Sequence, residues 1–303
     1  MKKLLSLIFV VNLGLSSFAQ QDEQMSLYTY NPLYFNPAYA GSRDAISMVA
    51  VGRFQWVDFN GAPSSQWFSI HSPLLKKYLG IGGHFVNDRI GDRKRTSGYV
   101  DFSSNIVLNK KKHRLAAGIS VGIDGMTYDF TQAQVTNPND PFIGEVVSAL
   151  KPNIGAGLYY YGEKFYVGIS VPRFLQSKTF DVNNVLQLLN TRHYFITGGY
   201  VFDLNSVLKL KPSTLIKYTV GAPITVDANL SLFMYERITT GLMYRFNESM
   251  GANVAYAFKN LNIGYTYDFP INGLMRYQSG SHEVFLQYDL QPKQKYYSSP
   301  RYF

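Results

Sequence analysis

Apolar and polar residues alternate with a period of two through most of the chain. Between positions 261 and 269, Leu261, Ile263, Tyr265, Tyr267 and Phe269 share one face, and Asn262, Gly264, Thr266 and Asp268 share the other. Between 196 and 204 the apolar face is Ile196, Gly198, Tyr200, Phe202 and Leu204. Val100, Phe102, Ile106 and Leu108 likewise oppose Tyr99, Asp101, Ser103 and Asn105. This spacing puts successive side chains on opposite faces of a strand, and a helical repeat fits the segments less well. They predict about fourteen strands, near 44–56, 64–71, 78–88, 95–108, 113–125, 151–161, 164–171, 191–203, 207–219, 223–235, 237–246, 250–258, 260–269 and 281–290. Their lengths approximate the roughly 9–11 residues that a tilted strand needs to cross a bilayer.

The connections sort by length. Short turns follow the even-numbered strands: 72–77, 109–112, Gly162-Glu163, 204–206, Glu236 and Lys259. The longer connections, 89–94, 126–150, 172–190 and 270–280, all follow odd-numbered strands and so fall on one side. Short periplasmic turns with longer external loops are the asymmetry of outer-membrane barrels. A soluble two-sheet sandwich also has a polar face, but no reason to sort its loops. The fold expected is therefore all-β: a transmembrane antiparallel up-and-down β-barrel with both termini periplasmic. Closure is required because unpaired strand edges cannot sit in lipid. On the polar face, Arg53, Arg245, Asp203, Asp268, Glu283 and Asp289 are expected to line the lumen and pair across it. Gly155, Gly157, Gly168, Gly199 and Gly264 on that face permit strand curvature and the close approach of a plug.

The ends of the chain change the picture. Lys2 and Lys3 precede an apolar stretch over 4–15, and Ser17-Phe18-Ala19 matches a small-x-small cleavage site. The expected division is a signal peptide at 1–19, an amino-terminal periplasmic or plug segment at 20–43, the barrel at 44–290 and a basic tail at 291–303. No later window approaches the roughly 20 apolar residues of a spanning helix. The chain has no cysteine, which excludes a lipid anchor at the cleavage site and a disulfide framework. Aromatics reach 16% while charged residues are also only 16%, against about a quarter in soluble domains. Tyrosine suits both strands and membrane interfaces. The formal charge of +9 loses two units with Lys2 and Lys3, and the remainder is scattered. It fits anionic head groups or acidic partners and not nucleic acid.

Candidate chemistry is sparse. His71, His84, His113, His193 and His282 stand apart from one another without metal-ligand spacing. No nucleophile elbow, phosphate loop or dinucleotide fingerprint is present. Two S-x-x-K matches, Ser148 to Lys151 and Ser206 to Lys209, fall at strand edges or in loops and not on a helix. Asn87-Asp88 with Asp92, and Asn137 with Asn139-Asp140, could collect oxygen ligands for calcium, but turn formation explains them more simply. No enzyme activity and no cofactor are expected. The most distinctive segment, 28–41, reads Y-T-Y-N-P-L-Y-F-N-P-A-Y-A-G. Its two Asn-Pro pairs predict extended or turn geometry without helix entry. Its five aromatics must bury either against the periplasmic mouth or inside the lumen.

An ordered set of short motifs spans the chain. Asn36-Pro37-Ala38-Tyr39-Ala40-Gly41-Ser42 is followed by Arg53-x-Gln55-Trp56, Gly61-Ala62-Pro63 and Asn87-Asp88-x-x-Gly91. Then come Asn153-x-Gly155-x-Gly157-Leu158, Val167-Gly168-x-Ser170-x-Pro172, His193-Tyr194, Gly199-Tyr200, Pro212-Ser213, Gly264-Tyr265-x-Tyr267-Asp268 and His282-Glu283. In these motifs the chain resembles the PorP/SprF family of Bacteroidota outer-membrane proteins. The resemblance implies a barrel of the type IX secretion system and gliding-motility apparatus. Such a barrel supports the export and surface anchoring of a large secreted adhesin with a type B carboxy-terminal sorting domain. Periplasmic secretion or motility components and outer-membrane lipid are further partners implied. Asn36, Pro37, Ala38, Tyr39, Gly41, Arg53, Gln55, Trp56, Gly61, Ala62, Pro63, Asn87 and Asp88 are carried over as motif and candidate partner-binding positions. The long loops 126–150 and 172–190, and then 56–63, are the candidate contact surfaces. The rival reading is a transport pore for a small or apolar solute.

Overall fold

The computed structural model describes residues 23–43, 45–74, 78–108, 113–131, 144–180 and 187–290. The expected signal peptide, the basic tail and the Asn137–Asp140 cluster lie outside the described residues. The first half of the barrel comprises β1 (Ile46–Phe54), β2 (Ser64–Leu74), β3 (Leu79–Ile90), β4 (Arg93–Val107), β5 (Arg114–Asp129), β6 (Val146–Tyr161) and β7 (Phe165–Val171). A separate hairpin, β8 (Ser177–Phe180) with β9 (Gln187–Asn190), stands apart from the main sheet. The second half comprises β10 (His193–Tyr200) continued by β11 (Phe202–Asp203), β12 (Leu208–Thr219), β13 (Thr225–Met234), β14 (Ile238–Arg245), β15 (Ser249–Phe258), β16 (Leu261–Pro270) and β17 (Ser281–Leu290).

Each strand pairs antiparallel with its neighbour. The sheet closes where β1 meets β17, from Ile46↔Leu290 to Phe54↔His282, and where β10 bridges β7 and β12. With β10 and β11 as one strand, this is a closed barrel of fourteen. Closure satisfies the backbone hydrogen bonds that lipid cannot, which is why no edge remains. The alternation faces outward as expected. Phe68, Phe85, Phe102, Val121 and Ile263 are each 45–52% exposed on the outer wall, whereas Asp101, Thr266 and Glu283 inside are 0% exposed. The outer wall is thus apolar, while charged and polar side chains such as these are buried inside. Exposed aromatics ring both rims, Tyr78, Tyr200, Tyr235 and Phe258 at the short-turn end and Phe54, Tyr218, Tyr244 and Phe246 at the long-loop end.

Three expectations need correction. The connection expected over 89–94 is a two-residue turn, because Arg89↔Lys94 and Ile90↔Arg93 stay in register and Gly91, with φ +54°, closes the hairpin. The loop expected over 126–150 is shortened from both sides, since β5 and β6 stay paired out to Asp129↔Val146. Asp203 does not line the lumen. The phase slips at buried Val201, and Asp203 instead meets Lys164 at 2.6 Å and Lys209 at 2.8 Å on the outer rim.

Candidate functional site

The lumen is occupied by the chain's own amino-terminal segment, here called the strap. It enters β1 at the short-turn end, where Arg43 meets Asp289 at 2.8 Å near the end of β17. Its described start lies at the opposite, long-loop end, where Glu23 meets Arg95 at 3.1 Å near the start of β4. Between them runs α1 (Pro32–Phe35), followed by a 3-10 turn at Pro37–Tyr39. The helix corrects the expectation drawn from the Asn-Pro pairs. Proline restrains the residue before it, and Asn31 and Asn36 are indeed non-helical at φ −128° and −145°. Pro32 itself occupies the first helical turn, where its missing N–H costs nothing.

Apolar burial seats the strap. Met25, Leu27, Tyr28, Tyr34 and Phe35 pack with Val49, Val51, Trp67, Val86, Phe195 and Phe285 of the wall. Leu33, Ala38, Tyr39 and Ala40 pack with Ala116, Tyr159, Tyr161 and Tyr166. Each such buried large side chain contributes on the order of 1.5–3 kcal/mol. With Tyr30 stacked on Phe285 at a centroid distance of 3.9 Å, all five aromatics of segment 28–41 lie inside the barrel.

The short-turn end of the strap is fitted by shape. A side chain at Gly118 would overlap Ala38, at Gly157 the Asn36 Oδ1 and at Gly80 the Ala40 carbonyl. These glycines let the strap backbone lie directly against the wall. In the socket between Gly157 and Gly168, the Asn36 amide donates to the Leu158 carbonyl at 2.9 Å, while its Oδ1 accepts from the Ala38 amide at 2.9 Å. The Ser103 hydroxyl donates to the Ala40 carbonyl and the Ser170 hydroxyl to the Phe35 carbonyl, both at 2.6 Å. Burial raises the Tyr39 phenol above its ordinary pKa, with Arg43 opposing, and burial raises Tyr28 in the same way.

The long-loop end is held by charge. Arg53, 2% exposed, meets Asp268 at 2.6 Å and Glu283 at 2.9 Å. Glu283 accepts from the backbone amides of Ser26 and Leu27 at 2.9 and 2.8 Å. Arg95 joins Glu23 to Asp124, the latter at 2.8 Å, and Arg245 forks onto Asp227 while donating to Gln24 at 2.9 Å. Charge-assisted, bidentate contacts of this kind are the strong ones in a dry interior.

Motifs far apart in sequence meet in space. Asn36–Gly41 meets the glycines of β6 and β7, and Arg53 meets Asp268 and Glu283. The Gly91 amide donates to the Gly61 carbonyl at 2.9 Å, so 61–63 meets 87–91, and the Gln55 amide donates to the Pro63 carbonyl at 2.9 Å. Asp88 accepts from Ser65 and meets Arg93 at 3.1 Å, and Asn87 donates to Gln66. Trp56, Gly61, Ala62 and Pro63 lie in the loop between β1 and β2 at the long-loop end. Asn36, Pro37, Ala38, Tyr39 and Gly41 are buried inside the barrel. Sequence reasoning missed Glu23 and Ser26 on the strap and Arg95 and Asp124 facing it on the wall; the only signal of the last two was polarity at inward strand positions.

The family model for the type IX secretion system membrane protein PorP/SprF matches residues 17–288. This chain belongs to that family. It is accordingly a type IX secretion system membrane protein with an outer-membrane barrel fold, and the motifs that meet around its strap lie within the matched span. No curated protein matches it. Among solved structures, a Pseudomonas aeruginosa FadL homologue is 10% identical, covering 90% of this chain and 96% of its own, at a TM-score of 0.48. The Acinetobacter baumannii outer membrane protein Omp33 is 7% identical, covering 81% of this chain and 99% of its own, at 0.47.

Proposed function

We propose that this PorP/SprF barrel supports the secretion of a large adhesin with a type B carboxy-terminal sorting domain and anchors it at the cell surface. The observation that carries the reading is the strap. A lumen occupied from its short-turn end towards its long-loop end by an ion-paired, apolar-packed segment suits an anchor better than an open transport pore. The working surface is then the long-loop end, with the connection between β5 and β6, the connection between β7 and β10, and the loop at 56–63 meeting the adhesin. Of the carried-over positions, Arg53, Gln55, Trp56, Gly61, Ala62, Pro63, Asn87 and Asp88 support that surface. Asn36, Pro37, Ala38, Tyr39 and Gly41 serve it indirectly by seating the strap. The short-turn end, where β17 finishes, faces the periplasm and any secretion or motility components there. A cleaved signal at 1–19 and a periplasmic tail at 291–303 complete this reading.

The test is a deletion strain analysed by surface proteomics. Loss of one large adhesin from the surface, with other secreted cargo intact, is expected. Unchanged surface display of every such adhesin would refute the role. The pore reading predicts solute flux through the purified protein in liposomes, whereas a strapped barrel should be silent.

A further inference from the structure

Above the strap, at the long-loop end, the lumen opens into a vestibule of about 430 Å³. That size falls within the roughly 300–1,000 Å³ of small-molecule sites. Its lining includes five carboxamides, Gln55 and Gln278 among them, and four hydroxyls, Thr219 and Thr225 among them. Two cations, Arg53 and Lys217, are balanced by two anions, Glu248 and Asp268. The vestibule is therefore rich in neutral groups that both donate and accept, and it carries no net charge.

Three residues with aromatic rings line it, Trp56, Phe246 and His193, and Trp56 alone offers an indole. Trp56 sits at φ +50°, a left-handed conformation that costs a bulky residue energy and persists only where the surroundings impose it. The surroundings here are specific. The Trp56 amide donates to the Ser281 hydroxyl at 3.3 Å, Val57 donates to the Gly280 carbonyl at 3.0 Å, and Ser279 donates back to Val57 at 2.9 Å. The loops after β1 and β16 are thereby tied together, and the backbone that carries the indole is fixed before any ligand arrives. Phe59 packs edge-on against it with ring centroids 6.0 Å apart.

We propose that this vestibule is a saccharide-binding site, taking an uncharged, hydroxyl-rich sugar. A sugar ring offers an apolar C–H face for an indole. Its edge carries adjacent hydroxyls, each a donor and an acceptor, which carboxamides match in pairs. A strongly anionic ligand would find no surplus positive charge, and an apolar one would displace water from these polar groups without replacing its hydrogen bonds. The reading does not depend on the adhesin role. It requires only that the long-loop end faces outward. The sugar could come from the polysaccharide of surface lipopolysaccharide or from glycans on a surface protein.

The experiment uses the full mature chain in detergent, carrying Trp67→Phe. Trp67 is the other of the two tryptophans and is 2% exposed, so its replacement leaves Trp56 as the sole reporter. Three probes are titrated: maltotriose, O-polysaccharide released from the host's lipopolysaccharide, and glycans released chemically from its surface proteins. A saturable change in Trp56 emission with at least one probe is expected, and which of the last two binds more tightly identifies the source. Binding measured by calorimetry should weaken about tenfold in Gln278→Ala and in Trp56→Ala. Heat-modifiable migration confirms that each variant is folded. No saturable response to any probe overturns the proposal. So does unchanged affinity in both folded variants.

Discussion

The two ends of the strap are held by different physics. At the short-turn end, Asn36–Gly41 lies in sockets made by absent side chains, Gly80, Gly118, Gly157 and Gly168, so the fit over this stretch is steric, and the Arg43–Asp289 pair lies beyond it at the entry to β1. At the long-loop end, Glu23–Leu27 is held by Arg53, Arg95, Arg245 and Glu283. Steric fit tolerates no added atom and is indifferent to salt. Charge pairing tolerates small displacements but fails abruptly when one partner is lost. The lower end therefore works as a permanent anchor, and the upper end as the part that a change in charge can loosen.

The largest expected effect comes from removing the strap. Deleting residues 23–40 should convert a silent barrel into an open channel in planar bilayers. Silence in the folded deletion protein would show that the strands alone close the lumen. Arg53→Ala should follow, costing about 3–5 kcal/mol because Asp268 and Glu283 are left buried without their cation. Thermal loss of heat-modifiable migration reports it, and Arg53→Lys should recover part of the loss. Gly118→Val should cost about 3 kcal/mol by overpacking against Ala38, with no dependence on ionic strength. A salt-dependent loss there would break the contrast between the ends. Glu23→Gln should be milder, about 1–3 kcal/mol, since Arg95 keeps Asp124. It should show as faster proteolysis of the strap from the long-loop side.

The smallest effect is expected with pH. Tyr28 and Tyr39 hold their protons more tightly when folded than when unfolded, because burial raises both phenols. Below an unfolded pKa of about 10 their contribution to stability is full. Above it the unfolded chain binds fewer protons than the folded one, so stability falls as pH rises. Strap release followed by conductance between pH 8 and 11 should show this, and replacing both residues with Phe should lessen it. An unchanged profile in the double variant would place alkaline sensitivity elsewhere.

Much of this was legible in the chain itself. Period-two alternation is a local property, set by the covalent geometry of an extended backbone, so it located fourteen strands and their lipid face. Thirteen of these needed only shifted ends, and the eighth divides into β10 and β11 around the phase slip that moves Asp203 outside. The hairpin β8–β9 went unread because four-residue strands carry too little periodicity. At the candidate site, the inward positions of Arg53, Asp268 and Glu283 were readable, and so was the need to bury the aromatics of 28–41. Tertiary structure alone decided which inward residues face each other across the closed barrel. It set Asn36 into the glycines of β6 and β7, led the strap up the lumen to Glu23, and tied Trp56 to the loop after β16. Those outcomes depend on closure and strand stagger, which relate residues more than a hundred positions apart and leave no periodic trace in a single chain.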